Sequence, residues 1–443
     1  MRERNPLVSI CGRVCHNPCE AKCRRKDIEE GLAIRELKRY VTDCVLNNGG
    51  YPLPSVEEKK GKSIAIVGSG PAGLTCAYHL ARMGYEVTVF EALPLAGGML
   101  AVGIPEYRLP RATIEKEIEA IKKVGVEIKT GVHVGKDMTV AEIFDEGYQA
   151  VFIATGAHQD LKLGIDGEAL DNVVGAASFL RDVNLGKLKK ITGRAVVIGG
   201  GNAAIDTARS ALRLGADEVH IVYRRRREDM PAHSDEVCQA EKEGVKMHFL
   251  ANPLKLIGNG KVGKIECLRM KLADFDSSGR RRPVPIEGSQ FTMDVDLVVA
   301  AIGQRPDASF IMDHSEAKLS KRGTISVDPD DLRVSKDGIF AGGDVVRGPA
   351  TVIEAIGDGM NAAISIDKYL GGKGIIEERL RKKEELDQIT LSSENPEVQP
   401  RVRKVENKIE SNIEGFAEVE RGYSKSEAHC EASRCLHCDI EVD

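Results

Sequence analysis

Tryptophan is absent from the 443 residues, and all aromatics together make up only 4%. Binding single-stranded nucleic acid needs aromatic platforms for base stacking, so that class is excluded. An excess of positive charge is also missing. The chain has 63 basic and 68 acidic residues, a formal charge of −5, which leaves no basic field for nucleic acid. No apolar run approaches the ~18 residues of a transmembrane helix. Met1-Arg2-Glu3-Arg4-Asn5-Pro6 has no apolar core of a secretory signal, which points to a cytoplasmic protein without a membrane partner. Two residue types are prominent instead. Glycine occurs 45 times, as suits nucleotide-binding α/β domains, and cysteine 11 times. With 42% hydrophobic and 30% charged residues there is material for large cores, and at ~150 residues per domain the expectation is about three domains.

Residues 1–60 are cysteine-rich and then helical. Ile34, Leu37, Val41 and Val45 recur every three to four positions, the stripe of an amphipathic helix. Asn47-Asn48-Gly49-Gly50 ends it, and Tyr51-Pro52-Leu53-Pro54 reads as an extended linker. Ser63–Val67 then reads as a buried strand, 68–73 as a glycine turn, 74–83 as a helix and 86–90 as a second strand. The same unit recurs from Ala195, through a turn at 199–204, to a strand at 218–223. Two dinucleotide-binding folds in tandem are therefore expected. The segments 150–156, 297–303 and 338–344 read as further buried strands ending in glycine turns. This pattern predicts an α/β protein with two Rossmann-like domains. The second, 181–304, is inserted in the first, 61–180 and 305–372. Residues 373–443 form a charged connector, with a mixed-charge helix at 377–385 and an exposed stretch at 390–403, and a cysteine-rich tail.

Gly68-Ser69-Gly70-Pro71-Ala72-Gly73 joins a strand to a helix, and Glu91 ends the next strand roughly 20 residues on. Gly68 permits the tight turn, Gly70 lets backbone approach a pyrophosphate, and Gly73 allows close helix–strand packing. Pro71 and Ala72 open the helix whose N-terminus faces the phosphates, and Glu91 can accept from ribose hydroxyls. The second turn runs Gly199-Gly200-Gly201-Asn202-Ala203-Ala204. Its second strand ends not in an acid but in Tyr223-Arg224-Arg225-Arg226-Arg227. An acid there would hold a free ribose diol and repel a 2′-phosphate. Arg224 and Arg225 fit a 2′-phosphate, so NADP(H) is expected rather than NAD(H). A solvated basic loop, with NAD(H) as the nucleotide, is the rival.

Cys11, Cys15, Cys19 and Cys23 are four thiols at regular spacing, enough to saturate one tetrahedral iron–sulfur site. Zinc, or four unrelated free thiols, are the alternatives.

Several of these elements resemble one family. They are the segment Cys-Gly-Arg-Val-Cys-x-x-Pro-Cys-Glu-x-x-Cys, the first nucleotide fold, Gly-Gly-Met-Leu-x-x-Gly-Ile-Pro-x-Tyr-Arg-Leu-Pro at 97–110, the second turn with Tyr-Arg-Arg, and Ala-Gly-Gly-Asp at 341–344. Over residues 8–372 the chain is similar to the small, FAD-containing subunit of NADPH-dependent glutamate synthase. It also resembles the NADPH-side subunit of electron-bifurcating ferredoxin–NADP transhydrogenases and part of dihydropyrimidine dehydrogenase. The resemblance implies FAD in the first fold and NADPH in the second. Gly68, Gly70, Gly73 and Glu91 would hold the adenine half of FAD. Gly98, Met99, Leu100 and Arg108 would lie by the flavin or its diphosphate, with Val134, Ala154, Thr155, Gly156 and Gly343 around the same site. Asp344 would bind the ribityl–diphosphate region. Thr351 and Val352 would start a helix aimed at the flavin N1–O2 edge. Gly199, Gly201, Asn202, Ala203, Arg224, Arg225 and Gly303 would bind NADP(H).

No cysteine lies between 91 and 180, so the flavin has no disulfide of its own domain to reduce. The expected route is hydride between NADP(H) and FAD, then single electrons through one or two [4Fe–4S] clusters to other redox subunits of a complex, with ferredoxin among the acceptors and bifurcation among the modes. A stand-alone NAD(P)H:acceptor reductase and an electron-relay subunit without nucleotide turnover are the alternatives. The relatives carry Glu-Ala-x-Arg-Cys-x-x-Cys upstream of the first cysteine segment. Here Glu431-Ala432-Ser433-Arg434-Cys435-Leu436-His437-Cys438 carries that pattern at the far end, as if relocated. Cys430, Cys435 and Cys438 would then ligate a second cluster, completed by Cys23, His437 or a partner, with the tail folding back onto the N-terminal segment. A zinc knuckle or a disordered tail are the rivals. The family also places a Glu or Gln ligand on the following helix. Lys38 occupies that position, and lysine cannot serve.

Overall fold

The structure, a computed structural model, describes residues 1–275, 279–312, 317–335, 338–376, 398–406 and 415–436. Cys438, His437 and the expected helix at 377–385 lie outside the described residues.

Two parallel sheets organise the chain. The first orders its strands Arg333–Ser335, Ile339–Ala341, Ala150–Ile153, Ser63–Val67, Glu86–Glu91, Val126–Thr130. All neighbours are parallel except the first pair. The late strand Ile339–Ala341 lies beside the early strand Ala150–Ile153, so this sheet is built from two separated stretches of chain. Its strands are apolar runs such as Ile64-Ala65-Ile66-Val67, as befits a sheet covered on both faces. One cover is the pair of helices Pro71–Arg82 and Val352–Tyr369. They approach so closely that a Cβ on Gly359 would come within 2.2 Å of the Ala72 carbonyl oxygen.

The second sheet runs Val173–Gly175, Leu297–Ala300, Arg194–Ile198, Glu218–Tyr223, Lys246–Phe249, all parallel. A three-stranded antiparallel sheet, Ala251–Asn259, Lys261–Phe275 and Arg281–Asp294, packs on it. The chain crosses between the two bodies where Gln159–Asp160 pairs antiparallel with Gln304–Arg305. This moves the expected boundary. Residues 161–180 do not stay with the first sheet, because Val173–Gly175 pairs with Leu297–Ala300 and the crossing falls near 160 rather than 180.

The N-terminal segment contributes helices Val8–Val14 and Ile34–Asn47. Leu7, Ile10 and Cys11 are buried in the same core as helix Pro71–Arg82. Ser9 fixes the seat: its backbone N–H and its hydroxyl both donate to Glu117 Oε1, at 2.8 and 2.5 Å. In helix Ile34–Asn47 the fully buried side chains are Glu36, Arg39 and Thr42, while Val41 of the apolar stripe is 43% exposed. The charged face is buried because the returning tail supplies partners. Arg39 pairs with Glu418 at 2.8 Å, and Arg35 with Glu420 at 3.5 Å. The returning tail carries helix Lys425–Ser433, opened by a Ser424–Glu427 capping box, and this helix lies against Ile34–Asn47.

Candidate functional site

The first glycine turn opens onto a cavity of about 620 Å³, within the range of cofactor sites. The turn has the geometry its glycines require. Gly68 has φ +106°, and a Cβ there would meet the Ala154 carbonyl oxygen at 2.4 Å. A Cβ on Gly73 would come within 1.9 Å of the Gly68 carbonyl oxygen, so Gly73 holds the helix against the strand and lies behind the wall rather than on it. Gly70 has open space where its Cβ would stand, on the cavity side. Pro71 and Ala72, then Thr351 and Val352, bring two helix N-termini to the wall, a favourable setting for anionic groups. Gly98, Met99, Leu100, Val134, Ala154, Thr155, Gly156, Gly343 and Asp344 line the same cavity.

Polar groups converge there. Glu91 is buried, and its Oε2 accepts from the Ser69 N–H at 2.9 Å and the Ser69 hydroxyl at 2.5 Å. The Thr155 hydroxyl is buried and has no hydrogen-bond partner among the described residues. Such a group costs free energy unless a ligand satisfies it. Asp344 Oδ1 accepts from the Ala350 N–H at 3.2 Å, and burial pushes its carboxyl up to about 6. These features, with the open approach at Gly70, fit a dinucleotide carrying a diphosphate.

Arg108 is not on this wall. It reaches Asp206 at 2.6 Å and also pairs with Glu236, both on the second domain. Neighbouring Tyr107 is buried beneath Arg209 and Arg213, whose guanidinium carbons stand 4.7 and 4.0 Å from its ring centre. The Tyr-Arg pair of the 97–110 motif thus locks the domains together. The reason is the pair of carboxylates on helices Asn202–Arg213 and Ser234–Lys242, which take up the guanidinium before it can reach the cavity.

Sequence spacing missed other wall residues. His158, Arg181 and Gln304 come from or beyond the crossing, and Phe310 packs against Gly135. None stands at a fixed distance from a glycine turn, so no motif marks them. Burial holds the His158 imidazole below its ordinary pKa, opposed by Glu91 and reinforced by Arg181.

The second turn repeats the first. Gly199 has φ +147°, with the Ala301 carbonyl oxygen 2.2 Å from where its Cβ would be, and Gly201 faces open space. Asn202 and Ala203 are exposed at the start of helix Asn202–Arg213, and Asn202 Oδ1 accepts from the His233 N–H at 3.0 Å. Gly303 lies at the crossing, its carbonyl accepting from Leu161 N–H at 3.1 Å. Arg224 is exposed and has no side-chain partner among the described residues. Arg225 differs. It is buried, and its Nε donates to the Arg281 carbonyl oxygen at 2.8 Å. Strand alternation turns Arg225 inward toward the antiparallel sheet, so of the two arginines expected at the 2′-phosphate only Arg224 is presented to solvent.

Cys11, Cys15, Cys19 and Cys23 lie on one N-terminal segment as free thiols, and Asn5 Nδ2 donates to Cys11 Sγ at 3.3 Å. Among the described residues no three Cys, His, Asp or Glu side chains are arranged as a metal site. As a donor set, four cysteines suit a [4Fe–4S] cluster. Burial pushes the Cys11 thiol up to about 11, with Lys38 among the groups opposing it, and Lys38 likewise opposes the rise at Cys19. Lys38 therefore stands beside the cysteines, where the resemblance had placed a ligand. Cys430 is exposed and Cys435 half-buried at the end of the tail helix.

The fold and site define a class: a two-domain oxidoreductase with a dinucleotide cavity in one Rossmann-like domain and a second nucleotide turn in the other. Residues 62–359 match the pyridine nucleotide–disulphide oxidoreductase family, and residues 1–50 match dihydropyrimidine dehydrogenase domain II, 4Fe–4S cluster. The chain belongs to the pyridine nucleotide–disulphide oxidoreductase family. It is an oxidoreductase whose cofactors are FAD, a pyridine nucleotide and a [4Fe–4S] cluster. It is 45% identical to NADP(+)-dependent formate dehydrogenase subunit beta of Moorella thermoacetica, over 99% of this chain and 66% of that one. It is 39% identical to NADPH-Fe(3+) oxidoreductase subunit beta of Geobacter sulfurreducens, over 99% and 70%. It is 35% identical to the glutamate synthase [NADPH] small chain of Escherichia coli, over 83% and 82%. Among solved structures, FprA of Mycobacterium tuberculosis in complex with NADPH shares the fold, with TM-score 0.60 and 22% identity over 70% of this chain and 85% of that one. No helix among the described residues is long and apolar enough to cross a membrane.

Proposed function

We propose that this protein is the NADP(H)-handling flavin subunit of a hetero-oligomeric oxidoreductase, exchanging hydride between NADP(H) and FAD and passing single electrons through iron–sulfur centres to a partner subunit. FAD supplies the conversion between two-electron and one-electron chemistry. The chain's own groups bind and orient. The Gly70 approach and two helix N-termini take the diphosphate, Glu91 and Thr155 take polar groups of the dinucleotide, and Arg224 takes the 2′-phosphate.

The observation that carries this reading is the seat of the four-cysteine segment. Cys11 is part of the flavin-domain core, and Cys15 packs against that same core, as does Val352 at the start of the helix that opens on the cavity. Cysteines and flavin cavity thus meet at one helix end. Cys76, Cys238 and Cys267, the cysteines of the two nucleotide-binding domains, are free thiols, so no disulfide among them competes as acceptor. Three curated relatives point the same way: their names share NADP(+) or NADPH, and each is a subunit or chain of a larger enzyme. Those names differ in the other reactant, so the partner subunit sets the terminal acceptor.

The tail is read as a second cluster element, with Cys430, Cys435 and Cys438 as ligands. Its support is the way Glu431 and Arg434 bind the N-terminal segment. Glu431 accepts from Ala33 N–H at 2.8 Å, and Arg434 donates to the Glu30 carbonyl at 2.7 Å.

Iron, acid-labile sulfide and flavin assayed on anaerobically purified protein test the cofactor content, and co-purification tests the partner. One FAD with at least four irons per chain, reduced faster by NADPH than by NADH, is expected. Preference for NADH, or zinc in place of iron, would overturn the proposal.

A further inference from the structure

The flavin cavity is lined by three carboxylates, Glu91, Asp307 and Asp344, yet it must accept a ligand with a doubly negative diphosphate. Helix N-termini supply only partial positive charge. Among the described residues, apart from two histidines, one cationic side chain lines the cavity, and it comes from the other domain. Arg181 stands on helix Ala176–Asn184, which follows the first strand of the second sheet.

This helix is fixed at both ends. Asp160, on the crossing strand, accepts at Oδ1 from Ala177 N–H at 2.8 Å and at Oδ2 from Ser178 N–H at 3.1 Å, capping its start. Asn184 Nδ2, one turn beyond Arg181, donates to the Val102 carbonyl at 2.8 Å, on the flavin side. Between these anchors Arg181 is half-buried. Among the described residues its side chain makes one hydrogen bond, from Nη2 to Ser178 Oγ at 3.3 Å, and has no carboxylate partner. Arg108, on the same domain interface, has two. A guanidinium aimed into a carboxylate-lined cavity and left without a counter-ion is built for an anion that arrives with the ligand.

We propose that Arg181 is a binding residue for the FAD diphosphate, contributed by the nucleotide domain, so that FAD binding and the seating of that domain on the flavin domain reinforce each other. The ring system of oxidised flavin is neutral, so the diphosphate is the charge that Arg181 meets. The coupling follows from linkage: a ligand that touches both domains favours the arrangement in which both touch it.

The inference rests on FAD occupying this cavity, and the test separates the two. Flavin is stripped from wild type, Arg181→Gln and Arg181→Lys, and oxidised FAD is titrated back while its fluorescence is followed. Loss of a charge-assisted contact predicts a Kd about tenfold or more higher in Arg181→Gln, with most of the affinity recovered in Arg181→Lys. Saturating FAD should slow tryptic cleavage at exposed Lys162, beside the crossing, in wild type and much less in Arg181→Gln. Kd values within twofold of each other, or equal FAD protection at Lys162 in loaded wild type and Arg181→Gln, overturn the proposal. Failure of wild type itself to bind FAD would instead remove the reading on which it rests.

Discussion

Arg224 and Arg225 are adjacent, and their side chains leave the backbone on opposite sides. Arg224 faces solvent beside the second glycine turn, whereas Arg225 is spent on the Arg281 carbonyl. Arg224→Ala should therefore raise the KM for NADPH about tenfold and leave that for NADH nearly unchanged, since one charge-assisted contact contributes on the order of 1.5–3 kcal/mol. Arg225→Ala should act on stability instead, costing about 1–3 kcal/mol for the unpaired carbonyl and lost packing, with little change in nucleotide preference. Steady-state kinetics with both nucleotides and thermal melts tell these apart. An equal loss with NADPH and NADH in Arg224→Ala would argue against a 2′-phosphate site. Asp344 gives a pH dependence. Burial raises its carboxyl to about 6 from an unfolded value of 3.8, so the folded state binds the extra proton between those limits. Its contribution to stability is full below pH ~3.8 and is lost as pH rises through ~6. In flavin-free protein, Asp344→Asn should be the more stable at pH 7, by on the order of 1–3 kcal/mol, and the difference should vanish near pH 4. A stability difference independent of pH would show that Asp344 is not held in this way.

At the scale of elements, the tail helix Lys425–Ser433 is attached by two buried residues. Glu431 is 0% and Arg434 1% exposed. Glu431 accepts from both Ala33 and Val402 N–H at 2.8 Å and pairs with Arg434 at 2.7 Å. Glu431→Ala leaves the Ala33 and Val402 N–H groups without this acceptor while Arg434 keeps Glu29 at 3.2 Å, so it should cost about 2–4 kcal/mol of local stability. It should release residues 415–436 to limited proteolysis while FAD stays bound. A tail as protected as in wild type would show that these bonds do not hold it. This docking was readable in part. The Glu-Ala-x-Arg-Cys pattern suggested a return to the N-terminal segment, but not the means, because hydrogen bonds between residues about 400 apart leave no local periodicity. The same long-range partners explain why the apolar stripe of helix Ile34–Asn47 misjudged its buried face. Arg39 looks like a solvent residue until Glu418 is brought to it, and so does Glu36 until Arg35, itself paired with Glu420, covers it. Both glycine turns were legible because the strand, turn, helix and next strand of each unit follow one another directly in the sequence. Arg108 and Arg181 were not. Each acts across the domain interface, and only the relative placement of two sheets decides which cavity or carboxylate it meets.

The whole molecule interlocks three bodies. Helix Val8–Val14 is seated in the flavin-domain core, Arg108 ties the flavin domain to the nucleotide domain, and the returning chain touches all three. Phe416 of that chain packs on the nucleotide-domain core, and the Val419 N–H donates to the Tyr107 carbonyl at 3.0 Å. Such an arrangement suits a relay in which distances between redox centres must be fixed. Electrons entering from NADPH are expected to leave the flavin for the iron–sulfur centres of this same chain. This is tested most directly by anaerobic titration of purified protein with NADPH, followed by optical absorption at 450 nm and by low-temperature electron paramagnetic resonance. Bleaching of the flavin band should be accompanied by the signal of a reduced [4Fe–4S] cluster, before any partner or external acceptor is added. A flavin that is fully reduced while the clusters, present by iron assay and reducible by dithionite, remain oxidised would contradict it.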